Sequence, residues 1–501
     1  MELFDNLLLG FQTALQWQNL LFCLLGVAIG TAVGVLPGIG TTATMAMLLP
    51  LTFQFEASTS LIMMAGIYYG AQYGGSTTAI LINLPGESSS AVTAIDGNEM
   101  AKRGRAGIAL ATAAIGSFFA GTVATMVLAA AAPPLSKLAV QFGPVDTFSL
   151  VVLGLIVSIA LARGSIIKAL AMVFLGMAFS LVGTELVDYK SRFTFGIFEL
   201  DAGISFVPVA IGLFGMAEVM RNMRNPENRD GTFHKVGTLW PSRNDFKRMA
   251  APIGRGTVLG SALGILPGGG HILAPFASYA AEKKISRNKK EFGYGAIEGV
   301  AGPESANNAA AQTSFIPMLT LGLPANPVMA LMLGAFIIQG ITPGPNVIND
   351  EPDLVWGLIA SMWIGNLLLV GLNLPLIGMW VKMLRVPYWV LFPTIMVLAA
   401  IGTYSQSNNY TQVLAIVVFG VLGYVLVQSG CEPAPMLLGF VLGPLLEDNF
   451  RTALLISGGD ARTFVTEPIS AVLLGVAVLI LIAASLPALR NKRQDIFVED
   501  D

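Results

Sequence analysis

Ionisable chemistry is scarce in this chain. Only 12% of its 501 residues are charged, and histidine and cysteine occur twice each. With His234 and His271 alone, and with no HExxH and no nucleophile-elbow pattern, the sequence lacks the parts of an intramembrane hydrolase. No GxxxxGK[ST] phosphate loop appears, so ATP is not the energy source in this chain. Cys23 and Cys431 lie in or beside apolar segments without metal-type spacing, which implies neither a disulfide framework nor a zinc site. The first ten residues carry Glu2 and Asp5 but no basic residue, the wrong charge for a cleaved signal peptide. The first apolar segment is therefore expected to stay in the mature chain.

What the chain does have is apolar surface. Its hydrophobic fraction is 54% and its mean hydropathy +0.70, beyond what a soluble domain tolerates. Runs long enough to cross about 30 Å of hydrocarbon recur at 106–132, 203–221, 353–372 and 468–489. The expected class is an all-α polytopic membrane protein. Cations cluster at 102–105, at Arg163 with Lys168, from Arg221 to Arg248, at 283–290, at Lys382 with Arg385 and at 490–493, and these are placed in the cytoplasm. The acidic stretches 185–201 and 349–353 are placed outside. Alternating the two sets predicts about 10–12 transmembrane helices, N-terminus outside and C-terminus inside.

Two apolar runs are interrupted where interruption costs most. GTAVGVLPGIG (30–40) and GSALGILPGGG (260–270) share seven of eleven positions at an offset of 230 residues. Each is followed by a polar element that ends in a second Leu-Pro: YYGAQYGGSTTAILINLPGESSS (68–90) and GPESANNAAAQTSFIPMLTLGLPANP (302–327). The first motif runs on into FQFEAS without a cation and the second into EKKISRNKK, so the two end on opposite sides. This predicts two inverted-topology repeats with broken helices or re-entrant hairpins: 1–221 as the first membrane repeat, 222–250 as a cytoplasmic linker, 251–489 as the second repeat and 490–501 as a cytoplasmic tail.

Broken helices survive in hydrocarbon only where protein or a water-filled cavity surrounds them, and paired breaks point to a transport site near the midplane. Unwound glycines and a helix start favour an anion such as a carboxylate. The expected substrate contacts are Pro37, Gly38, Gly40, Thr41, Gly75, Ser76, Thr77, Pro267, Gly268, Gly270, His271, Asn307 and Asn308. For the coupling ion the candidates are Thr78, Asn83, Glu304 and Asn326, with Ser76, Thr77 and Asn307 as possible Na⁺ ligands. The bland readings are that a lone Pro-Gly kink is packing, that hydroxyls and amides glue helices together, and that His271 is a local hydrogen-bonding residue. Glu304 is either a proton carrier or ion ligand, or else a helix-cap partner at the aqueous rim. Glu87 and Asp96 precede the basic KRGR run and are expected at the cytoplasmic face. A pore is the main alternative to a carrier, since repeated glycine breaks also build channels.

At these motifs, and at TAIDGNEMAKRGRAG, SYAAEKK, ITPGP before VWGLIA, and GFVLGPLLEDNFRTALLISGGD, the chain resembles the large membrane subunit of the tripartite tricarboxylate transporters, the TctA family. The likeness spans almost the entire sequence in order. His271 and Pro275 stand where the resemblance calls for a small residue and a less constrained helix. It implies a bacterial inner-membrane permease that works with a small membrane subunit and a periplasmic binding protein delivering citrate or another carboxylate. Uptake would be driven by a cation gradient, Na⁺ or alternatively H⁺, with no other cofactor. The resemblance assigns the Leu-Pro-Gly loops, GGSTT and PESANNA to the substrate and ion contacts.

Overall fold

A computed structural model describes residues 2–36, 40–162, 165–185, 190–224, 236–266, 269–383 and 388–485. Pro37, Gly38, Pro267, Gly268, His234, residues 225–235 of the linker and the 490–501 tail lie outside them. The described residues are almost wholly helical. Helices α1 (Glu2–Ala14) and α2 (Trp17–Val35) lead to the first break, after which α3 (Thr41–Leu48) precedes α4 (Ala57–Ile82). α5 (Ala91–Met100) runs through a π-helical turn at Ala101–Arg105 into α6 (Ala106–Ala139), α7 (Pro144–Leu161) and α8 (Ile166–Ser180). A two-residue antiparallel ladder pairs Gly183 with Arg192 and Thr184 with Ser191, and α9 (Phe198–Asp201) and α10 (Phe206–Ala210) follow. A second π-helical turn, Ile211–Met216, joins α10 to α11 (Ala217–Arg224).

The second half opens with α12 (Arg243–Gly264), breaks again, and continues as α13 (Gly270–Ile285), α14 (Glu298–Thr313), α15 (Phe315–Leu321) and α16 (Pro327–Ile338). After α17 (Val347–Asp350) come α18 (Pro352–Asn373), α19 (Ile377–Met383), α20 (Tyr388–Ser407), α21 (Tyr410–Gln428), α22 (Pro433–Ile456), α23 (Thr463–Thr466) and α24 (Pro468–Ser485). Proline opens α7, α16, α18, α22 and α24, where its missing N–H has no intrahelical partner to lose. Among the described residues, six helical stretches are long and apolar enough to span a membrane, and Thr41–Thr52, Ile166–Ser180 and Pro327–Ile338 are shorter apolar pieces. Helix α12 begins inside the expected linker, 222–250. Ser242 and Asp245 form a capping box, each side chain accepting the other's backbone N–H (3.2 and 3.0 Å), and this starts α12 at Arg243.

The centre of the fold is a pair of helix crossings built the same way. A methyl group added to Gly26, Gly30 or Gly34 of α2 would lie 2.2, 2.2 or 2.3 Å from the carbonyl oxygens of Met63, Ile67 and Ala71 on α4. In α12, Gly256, Gly260 and Gly264 stand 2.2, 2.2 and 2.4 Å by the same measure from the carbonyls of Gly302, Ala306 and Ala310 on α14. Each glycine of the second set follows its counterpart by 230 residues, the offset of the Leu-Pro-Gly motifs. Without a hydrophobic drive between helices in lipid, such small-residue stripes let backbones touch and supply the association energy by dispersion. The exit of the polar element also repeats: Asn83 ends α4 and Gly322 ends α15 in left-handed conformation (φ 58° and 69°), 239 residues apart, each followed by Leu-Pro.

Close crossing buries both polar helices. All sixteen residues of α14 are buried, as is α4 from Thr59 to Leu81. Ion pairs then tie the ends of the elements: Arg255 holds the buried Glu282 through two hydrogen bonds of 2.7 and 2.6 Å, and Arg248 bridges Glu298 and Glu291. At α5, Asp96 accepts N–H groups from Gly293, Gly295 and Ala296 (2.9, 2.8 and 2.9 Å), fastening the first half to the turn before α14. Gly30→Val and Gly260→Val should each destabilise by about 1–3 kcal/mol through overpacking. Gly371→Ala, whose added methyl meets nothing within 4 Å, should leave the thermal midpoint in detergent unchanged or slightly raised, and melting curves of the three variants check the contrast.

Candidate functional site

The two breaks deliver two helix starts to one place. At the first, Gly40 takes φ 64° and ψ 151°, a conformation an L side chain resists, and the chain turns into α3 at Thr41. Gly269 makes the second turn, with φ 155°, and α13 begins at Gly270. The first turns of α3 (Thr42), α13 (His271, Ile272), α16 (Pro327, Val328) and α22 (Pro433, Ala434) all line one cavity of ≈ 480 Å³. Each helix start carries N–H groups without an intrahelical acceptor and a partial positive charge, so their convergence favours an anion. Among the described lining residues Arg221 of α11 is the only Lys or Arg, 3.8 Å from Glu218. Gln72, Ser88 and Ser89 add hydrogen-bonding groups, with Ser89 Oγ donating to Gln72 Oε1 at 3.1 Å.

Three lining side chains, Glu87, Glu218 and Glu432, have the wrong sign for an anion site. Glu87 Oε1 accepts the backbone N–H of Thr41 at 2.6 Å, so the start of α3 is already occupied by a carboxylate of the chain itself. Glu87 follows the second Leu-Pro of the first half, and the cytoplasmic-face expectation for it came from its neighbour KRGR. The structure folds it back onto the break. Asp96, expected beside it, is fully buried and serves the loop at Gly293–Ala296, with Tyr279 Oη donating to its other oxygen at 2.9 Å.

The polar residues of α4 and α14 meet in a second, smaller place. Glu304 is 1% exposed and sits within α14, which removes the rim reading for it. Ser76 Oγ lies 2.8 Å from both carboxylate oxygens, the Thr93 hydroxyl donates to Oε1, and Ser117 Oγ stands 3.5 Å from Oε2. Asn308 Nδ2 donates to Ser117 Oγ at 2.6 Å and to the Glu304 carbonyl at 3.1 Å. No cationic side chain pairs with Glu304 among the described residues. A void of ≈ 20 Å³, room for about one water-sized occupant, adjoins the carboxylate and is lined also by Tyr73, Thr77 and Asn373. The Oδ1 of Asn373, 6% exposed as a residue, is buried without a hydrogen-bond partner among the described residues.

The expected site residues therefore separate. Ser76, Thr77 and Glu304 line the small void, with Asn308 bonded to Ser117 of its wall, whereas His271 lines the large cavity and Thr41 is bonded to Glu87 in that cavity's wall. Gly75 packs its backbone against Gly86 and Glu87 between the two. Thr78 donates its hydroxyl to the Gly75 carbonyl (2.9 Å), Asn83 terminates α4, and Asn326 caps α16 by accepting from Met329 N at 2.9 Å. Asn307 is fully buried, and neither its amide oxygen nor nitrogen has a hydrogen-bond partner among the described residues. Thr93, Ser117, Tyr73, Glu87 and Arg221 complete the sites without having been singled out as contacts from the sequence. For Glu87 a signal existed: it stands three residues after Leu84, in the Leu-Pro-Gly-Glu that follows the polar helix.

The chain is similar to two proteins of Agrobacterium vitis. It is 64% identical over all 501 residues, and over the whole of the relative, to an uncharacterised 52.8 kDa protein in the TAR-I ttuC' 3' region. A second, in the TAR-II ttuC' 3' region, is 69% identical over 242 residues, which is 48% of this chain and all of that relative. No solved structure matches. The model of the tripartite tricarboxylate transporter TctA family matches residues 20–438, which takes in both breaks, both polar helices and every helix start around the cavity, and on that match the chain belongs to the TctA family.

Proposed function

We propose that the chain is the permease subunit of a secondary transporter that imports a tricarboxylate such as citrate, or a related carboxylate, across the bacterial inner membrane. It receives substrate from a periplasmic binding protein and works beside a small membrane subunit, partners that the tripartite family implies. A cation gradient, Na⁺ first, drives uptake by alternating access between two inverted halves, 1–221 and 251–489. The observation that carries the reading is the cavity on which four helix starts and Arg221 converge, positive groups that draw a carboxylate against the counter-charge of Glu87, Glu218 and Glu432.

Coupling is assigned to Glu304. Its carboxylate is buried among hydroxyls, and a small cation in the adjoining void would neutralise it while taking hard oxygen donors from Ser76, Thr93 and Ser117. The residue set also accommodates a proton on Glu304, so ion replacement distinguishes the two. Gln72 lines the substrate cavity and Ser76, one turn later on α4, touches Glu304, so a single helix segment joins the sites. Filling both neutralises the core, which lowers the cost of moving the loaded halves past one another.

In proteoliposomes with both membrane subunits and a binding protein, replacing Na⁺ by choline at fixed membrane potential should abolish citrate uptake. Persistence with strict pH dependence would assign the coupling to protons. Glu304→Gln should lower Na⁺-driven uptake at least tenfold while the purified chain keeps its melting profile. Arg221→Met should raise the apparent KM for carboxylate about tenfold, the usual scale for loss of one charge-assisted contact, with assembly unchanged.

A further inference from the structure

We propose that Glu87 is a built-in stand-in for the substrate's carboxylate: it holds the start of α3 while the cavity is empty and is exchanged for a substrate carboxylate on binding. The inference rests on reading the cavity as the carboxylate site. Its geometry is that of an anion at a helix start, with Glu87 Oε1 2.6 Å from the N–H of Thr41, the first residue of α3. That N–H faces a buried setting: Thr41 is 1% exposed, and an amide left unpaired there costs about 1–3 kcal/mol. An empty carrier therefore needs an acceptor at this point, and the chain supplies one.

The same arrangement makes simple addition of substrate unfavourable. A second carboxylate brought beside Glu87 would face a like charge in a low-dielectric wall, whereas exchange keeps the Thr41 N–H satisfied and draws the Glu87 charge back from the incoming one. The motion required is small. Gly86 is pinned, since a methyl group on it would lie 2.3 Å from the Gly34 carbonyl and 2.6 Å from Cα of Gly75. The backbone therefore stays, and the Glu87 side chain rotates into the cavity that it lines.

Among the described residues, the matching element of the second half carries no such device. Counting 239 residues on from Leu84-Pro85-Gly86-Glu87 reaches Leu323-Pro324-Ala325-Asn326. Asn326 is neutral and spends its Oδ1 on the N–H of Met329 in the helix that follows it. The duplicated element is thus charged on one side alone, and Glu87 becomes a positioning residue that sets how tightly the site holds an anion. Its charge opposes over-tight binding, which a carrier must avoid in order to release its cargo.

The test is calorimetric titration of the purified full-length chain with citrate, malate and succinate, native against Glu87→Gln. The amide keeps the shape and removes the competing charge, so the Kd for the bound acid should fall about tenfold. Thr41→Pro, which deletes the donor at a helix position that tolerates proline, should weaken binding and erase the gain when combined with Glu87→Gln. If Glu87→Gln does not fold, Glu87→Asp, which draws the charge back by one methylene, should show a smaller gain of the same sign. A folded Glu87→Gln chain that binds no more tightly than native overturns the inference and leaves the carboxylate reading standing. If neither chain binds any of the three acids, that reading falls and the inference with it.

Discussion

Everything in this structure depends on how closely two pairs of helices approach. In hydrocarbon there is little hydrophobic gain in bringing helices together, so the contact must come from backbone touching backbone. The glycine stripes of α2 and α12 permit this, and α4 and α14 are enclosed as a result. Enclosure changes what those helices are able to carry. Serines, threonines, asparagines and a glutamate that would be costly against lipid become groups that hydrogen-bond one another in a dry interior.

The same contact explains why the helices preceding the breaks are able to end where they do. A helix interrupted in lipid leaves N–H and C=O groups unpaired, each costing several kcal/mol. Here the ends of α2 and α12 are flanked by α4 and α14, and the restarted helices α3 and α13 open onto a cavity. At α3 the first N–H, which has no intrahelical acceptor, is met by Glu87. The break, the enclosed polar helix and the carboxylate after it form one unit, and the anion cavity and the Glu304 pocket lie on either side of a single turn of α4. In the proposed cycle that turn is where substrate and cation communicate.

The sequence made the breaks, their pairing and the polar elements after them legible, because seven shared positions in eleven and a repeated Leu-Pro survive as text. It also marked Ser76, Thr77 and Asn308 as substrate contacts and Glu304 as a candidate proton carrier or ion ligand. Their separation from Thr41 and His271 was hidden, since residues one helical turn apart on α4 face different compartments. Thr93 and Ser117 were hidden for another reason: single hydroxyls in apolar helices read alike whether they glue helices or hold an ion. Glu87 and Asp96 were drawn toward the surface by the neighbouring KRGR run, yet both are claimed by backbone N–H groups from segments remote in the chain.

Composition and periodicity alone determined that the chain is helical and membrane-embedded, and that two similar elements break near matched positions. Those properties follow from local physics: apolar length, helix breakers and charge placement act within one segment. Which helix starts share a cavity, which carboxylate meets a hydroxyl cluster and which one closes an N–H of a broken helix were decided only by tertiary structure. Each of those contacts joins residues from segments separated in the chain, Glu304 and Ser76 by 228 positions, and no local pattern encodes the crossing that brings them together.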